Sequence, residues 1–325
     1  MTRPSQRALI LCAALCLPAG LPAATSRIER EVALAPGGSF LLDTDVGSVT
    51  LSGASESNVR IVITSKVDDV ESRFDFRFDE LPGRVEVHAT RKGTKLLSWF
   101  GSGDGGGLRY DVRVPFDTDV EIRTSGGSIE VQAVQGQARL DTSGGSIRAS
   151  KVGGTLEIST SGGSISIEDA EAGASAETSG GGINVERVRG NLRAETSGGS
   201  ITIEDVTGDV DAETSGGSIR ITQAGGRVSA ETSGGSVTCS FASGNARGGD
   251  LSTSGGGIQV SLDPSIGLEI DAQTSGGTVT AALPVSGARE TDRSSLRGKI
   301  GAGGAMLRLR SSGGPIRIEG ADKGV

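Results

Sequence analysis

Four glutamates, Glu177, Glu195, Glu213 and Glu231, recur 18 residues apart, each directly before a Thr-Ser-Gly-Gly tetrapeptide. Asp141 and Ser159 hold the same place in the two preceding intervals. Glu168, Glu186 and Glu204 form a second series. If successive intervals stack as strands ~4.8 Å apart, each series becomes a row of carboxylates. Carboxylate oxygens are hard ligands that suit Ca²⁺. Like charges opposed on neighbouring strands also repel. At ~5 Å and an effective dielectric near 20, each pair costs about 3 kcal/mol before screening. Water and the nearby Arg187, Arg189 and Arg193 reduce that cost. The ordinary reading, a solvated acidic face that discourages sheet aggregation, takes precedence. The sharper reading is weak Ca²⁺ binding, or docking of a basic partner, on Glu177, Glu195, Glu213 and Glu231.

Other chemistry is poorly supplied. His88 is the single His, so a His-rich metal site is excluded. His88 lies outside the repeated region, and Ser recurs in every interval, which marks those serines as structural. No Ser-His-Asp triad assembles from such parts. The Gly-Gly pairs lack the Lys-Ser/Thr and the strand-to-helix context of a phosphate loop. The Ca²⁺-binding nonapeptide pattern is absent from the repeats. Aromatics make up only 3% of the chain, and its formal charge is −8, so base stacking and phosphate binding are both disfavoured. The expectation is no catalytic residue, no cofactor beyond weak Ca²⁺, and no nucleic-acid partner.

The elements that position these rows follow from the repeat itself. The chain has 325 residues, 53 of them Gly. Thr-Ser-Gly-Gly starts at Thr124, Thr142, Thr160, Thr178, Thr196, Thr214, Thr232, Thr253 and Thr274, with Ser311-Ser312-Gly313-Gly314 as a degenerate last copy. Between tetrapeptides, apolar residues alternate in two short runs, the period-2 signature of strands. Eighteen residues then fit one flattened coil of two strands and two turns. The fold class is all-β: a parallel β-solenoid of flattened two-sheet coils with a β-rich N-terminal cap.

Fixed inward ladders follow. One runs Ile129, Ile147, Ile165, Ile183, Ile201, Ile219, Val237, and a second Val131, Ala149, Ile167, Val185, Ile203, Ile221, Cys239. A third holds Val134, Val152, Ala170, Val188, Val206 and Ala224. The opposite sheet supplies Leu140, Ile158, Ala176, Ala194, Ala212 and Ala230. Cys239 reads as a small buried apolar residue. The repeat Thr shares the inward phase, with its hydroxyl on a turn backbone group. That phase argues against an outward ice-binding Thr array. Gly follows Thr because φ > 0 is cheap there and because a Cβ would clash.

Residues 1–24 read as a signal peptide. Arg3 and Arg7 precede the apolar run Ala8 to Leu17, and cleavage is expected near Ala24. Leu15 before Cys16 does not fit a lipobox. No later segment is apolar enough to span a bilayer, so export to the periplasm or beyond is expected. Residues 25–115 read as initial coils and a cap, with Val46 to Leu51 and Val59 to Ile63 as early coil segments. Trp99 and Phe100 are expected to pack under that cap, beside a flexible Gly101 to Gly107 loop. Residues 116–325 read as the repeat solenoid. Asp263-Pro264-Ser265 and Ser286 to Gly304 break its period and read as loops on one face.

Leu108-Arg-Tyr-Asp-Val-Arg-Val-Pro115, then Asp119-Val-Glu-Ile-Arg-Thr-Ser-Gly-Gly-Ser-Ile129, resembles the opening of a bacterial "putative adhesin" β-solenoid family of unknown function. The later Thr-Ser-Gly-Gly-Ser-Ile units are similar to that family's repeat. The resemblance covers most of residues 40–320. It implies a secreted or envelope-associated protein and brings no catalytic residues. The expected function is a non-catalytic structural or interaction module of the cell envelope, binding a protein or glycan on its repeat faces. The alternative is a polysaccharide hydrolase or lyase built on the same fold class, which would cluster its carboxylates in a groove.

Overall fold

The structure, a computed structural model, describes residues 26–66, 70–92, 107–289 and 293–321. The expected signal peptide and the Trp99–Phe100 segment lie outside the described residues. The alternating apolar runs form strands throughout, and the fold is all-β. A single four-residue helical turn, Val70–Arg73, is the exception among the described residues. Among the described residues the strands build two long sheets, of 14 and 15 strands, that face each other across one continuous core.

In the central stack each coil pairs with the next in parallel, 18 residues on. Ile147 sits between Ile129 and Ile165, and Ala149 between Val131 and Ile167. On the other sheet Leu140 lies between Ile122 and Ile158, and Ala194 between Ala176 and Ala212. All the expected ladders are buried, Cys239 included. Desolvation pushes the Cys239 thiol well above its ordinary range, which makes it inert.

The tetrapeptide joins adjacent coils. Thr160 Oγ1 donates to the carbonyl of Gly145 in the coil before, at 2.9 Å, and accepts from the N–H of its own Gly163 at 3.3 Å. Thr142, Thr178, Thr196, Thr214, Thr232 and Thr253 repeat both bonds. The second Gly is required by close approach. A Cβ on Gly163 would lie 1.9 Å from the Gly145 oxygen. Positive φ, the other expected reason, does not hold: the repeat Gly pairs are not left-handed.

The left-handed positions fall instead at the opposite corner and carry ordinary residues. They are Ala133, Lys151, Asp169, Arg187, Asp205 and Gln223, with φ between 53° and 60°. Each lets two consecutive residues point outward before the chain turns inward again at Val134, Val152, Ala170, Val188, Val206 or Ala224. Stacking of the neighbouring coils holds this costly backbone in place.

Both ends depart from chain order. Ser39–Thr44 pairs with Arg84–Arg91 on one side and Asp119–Thr124 on the other. Ser48–Ala54 likewise lies between Arg109–Pro115 and Ile129–Val134. The first coil is therefore enclosed by two later ones. At the far end Ala305–Ser311 inserts between Gly249–Thr253 and Leu268–Thr274, and Ile316–Gly320 between Ile258–Leu262 and Val279–Ala281.

Two expected features are corrected. Asn58–Ser65, which contains Val59 to Ile63, is no coil strand, because it runs antiparallel between Ser26–Ala33 and Arg109–Pro115. Its strict alternation fits a strand of either direction. Ser286 to Gly304 is no loop: Ser286–Arg289 and Ser295–Ile300 extend the second sheet as an antiparallel hairpin, held by buried Leu296 and Ile300. At Asp263-Pro264-Ser265 the turn forms as expected. Ser265 Oγ and N–H both bond the Asp263 carboxylate, at 2.7 and 2.9 Å. With Ser243 they hold its pKa down at about 2.

Candidate functional site

On the outer face of the second sheet, Glu177, Glu195, Glu213 and Glu231 lie in direct register across four adjacent strands. They are positioned by the inward Ala176, Ala194, Ala212 and Ala230 beside them, since successive side chains alternate between faces. Glu177, Glu213 and Glu231 are exposed, while Glu195 is half-buried under Arg193. Arg193 pairs with Glu195 and, at 2.6 Å, with Asp211. Among the described residues no ion pair reaches Glu177, Glu213 or Glu231. Asp141 begins the row one coil before Ser159. Burial raises its pKa, opposed by Arg123 and Arg139.

The second row also stacks as expected, with Glu168 against Glu186 and Glu186 against Glu204. One arginine sits among its members. Arg187 pairs with Glu168 at 3.1 Å, with Glu186 at 3.4 Å and with Asp169, whose carboxyl it holds below the ordinary range. Among the described residues one member of the first row, Glu195, is ion-paired, against two of the second, Glu168 and Glu186.

The row is linear. Alternate members stand ~9.6 Å apart at strand spacing, so a single ion can face at most two neighbouring carboxylates. It runs into a recess of about 380 Å³ where the repeat becomes irregular. Glu231, Thr232, Ser254, Thr274 and Ser312 line this recess, together with Arg310. Asp271 holds the Arg310 guanidinium in place through its carboxylate and its backbone carbonyl, both at 2.7 Å.

Sequence reasoning missed a second cluster. Ligand atoms of Asp79, Glu86 and His88 lie within 4.8 Å of one another, the one such trio of Asp, Glu, His or Cys among the described residues. The signal was present. Pro82-Gly83 is a two-residue turn between two alternating runs, which sets Asp79 opposite Glu86 in an antiparallel hairpin.

Among the described residues no helix is long and apolar enough to cross a membrane. No curated protein matches the chain. Among solved structures, the chain is similar to a "putative cell adhesion protein" from Clostridium sporogenes, with 13% identity, 91% of this chain and 100% of that chain covered, and a TM-score of 0.25. It is also similar to a "putative adhesin" from Bacteroides fragilis, with 12% identity, 91% and 97% covered, and a TM-score of 0.36. A third, a "putative adhesin" from Parabacteroides distasonis, has 7% identity, 90% and 97% covered, and a TM-score of 0.34. The family described as Toastrack DUF4097 matches residues 41–249, more than half of the chain. These residues span the first coil, the out-of-order cap and the regular stack that carries the glutamate row. The chain belongs to the Toastrack DUF4097 family.

Proposed function

We propose that the protein is a non-catalytic, exported interaction module of the bacterial cell envelope, adhesin-like, which binds a protein or glycan on its repeat faces. One observation carries this reading: the row Glu177–Glu195–Glu213–Glu231, ion-paired only at Glu195 among the described residues, forms a straight acidic stripe that ends in a hydroxyl-lined recess. A rigid stripe with a fixed 4.8 Å repeat suits many shallow contacts with an extended partner. The free carboxylates favour basic groups on a protein, and the recess hydroxyls and Arg310 favour a sugar chain.

The decisive experiment is a pull-down from envelope extracts with the exported chain and with a variant in which all four glutamates are Lys. Capture by wild type and loss in the variant support the proposal. Equal capture by both removes the row from it. A polysaccharide-cleavage screen addresses the alternative, because glycan hydrolysis or elimination by wild-type protein would make this solenoid an enzyme.

A further inference from the structure

We infer that Asp79, Glu86 and His88 form a binding site for a divalent transition metal of the Zn²⁺ or Cu²⁺ class. The inference is independent of the acidic row and of any partner docked there. The three residues occupy one face of the edge hairpin Phe74–Leu81 and Arg84–Arg91. Glu86 and His88 are two apart on one strand and so share a face, and Asp79 stands directly across from Glu86. His88 Nε2 lies 3.3 Å from Glu86 Oε2. All three side chains are half-buried.

Arginines flank the cluster, and Arg77 stands directly across from His88. Arg84 engages Oε1 of Glu86 at 2.5 Å, while Oε2 is the atom nearest the imidazole. Arg77 engages Oδ2 of Asp79 at 2.7 Å. A second observation concerns the far side of the ring. Asp43, on the next strand and in register with His88, places Oδ2 3.9 Å from Nδ1. At that distance Asp43 makes no hydrogen bond to the ring and adds only negative charge on its Nδ1 side. One imidazole nitrogen with two carboxylates is a mixed N/O donor set, which suits Zn²⁺ or Cu²⁺ better than the all-oxygen shells of Ca²⁺ and Mg²⁺.

The test uses the untagged chain, calorimetry with ZnCl₂, and NMR of the imidazole nitrogens. Because His88 is the single His, its ring gives one set of signals. The expected result is one Zn²⁺ per chain with a large shift of the Nε2 signal. His88→Ala should weaken binding by about 100-fold or more, beyond the loss usual for an outer-sphere partner. A variant with Glu177, Glu195, Glu213 and Glu231 all changed to Gln should bind as wild type does. No heat at millimolar Zn²⁺, an unmoved ring signal, or unchanged affinity in His88→Ala would each overturn the inference. Equal melting temperatures of metal-free wild type and variants show that the site, and not the fold, has been altered.

Discussion

The Thr196 hydroxyl donates to the carbonyl of Gly181, one coil back, at 2.8 Å. It accepts in turn from the N–H of Gly199 at 3.3 Å, so one buried side chain satisfies two backbone groups. Thr196→Val keeps the shape and loses both bonds. It should cost about 1–3 kcal/mol, the range for buried polar groups left unpaired. Thr196→Ser should cost less, since Ser311 already makes the same pair of bonds in the last coil. Thermal melts of the two variants check this.

The two glycines of one tetrapeptide should respond differently to Ala. A Cβ on Gly126 meets nothing within 4 Å, whereas one on Gly127 would sit 1.8 Å from the Gly47 oxygen. Gly126→Ala should stay within about 0.5 kcal/mol of wild type. Gly127→Ala should lose about 1–3 kcal/mol or more, because rigid backbone must move. Chemical denaturation of both proteins provides the comparison.

Lys151 sits at a φ of 55°. A non-Gly residue there costs about 1–2 kcal/mol. Gly removes that strain but adds freedom to the unfolded chain worth about 0.4–1 kcal/mol. Lys151→Gly should therefore raise stability, by up to about 1.6 kcal/mol. A lower melting temperature would show that the corner is not strained.

Asp141 is buried enough to raise its pKa. A group whose pKa rises on folding gives its full stabilising contribution below the unfolded value, ordinarily about 3.9 for Asp, and loses it as pH climbs through the folded value. Asn keeps the neutral form at every pH. Asp141→Asn should match wild type in acid and melt higher at pH 7. Melting curves across that range test the sign.

Glu213 faces Glu195 and Glu231. Removing its charge in Glu213→Gln should stabilise the stack by roughly 0.2–1 kcal/mol, the usual scale for cross-strand pairs. Millimolar Ca²⁺ should raise the melting temperature of wild type through the same repulsion. It should not do so in a Glu195→Gln/Glu213→Gln protein. No rise in wild type would remove the row as a cation site.

The repeat made the coil, the ladders and the inward Thr legible, because an 18-residue period repeats every side-chain environment at fixed spacing. The acidic row was legible for the same reason. What stayed hidden depends on pairing between distant segments. Asn58–Ser65 shows the limit, since alternation is identical in parallel and antiparallel strands. Lys151 and Arg187 gave no sign of left-handed backbone, because stacking imposes it against their local preference. His88 looked isolated until the Pro82-Gly83 turn brought Asp79 across from Glu86.

The enclosed coils at the two ends have a mechanical consequence. In a solenoid wound in chain order, a pull on the C-terminus peels an edge coil, breaking its bonds one at a time. Here the last strands, Ala305–Ser311 and Ile316–Gly320, are bonded on both sides. Tension on the C-terminus must drag a coil out from between two others, loading many parallel hydrogen bonds together. At this end the stack is closed against unzipping.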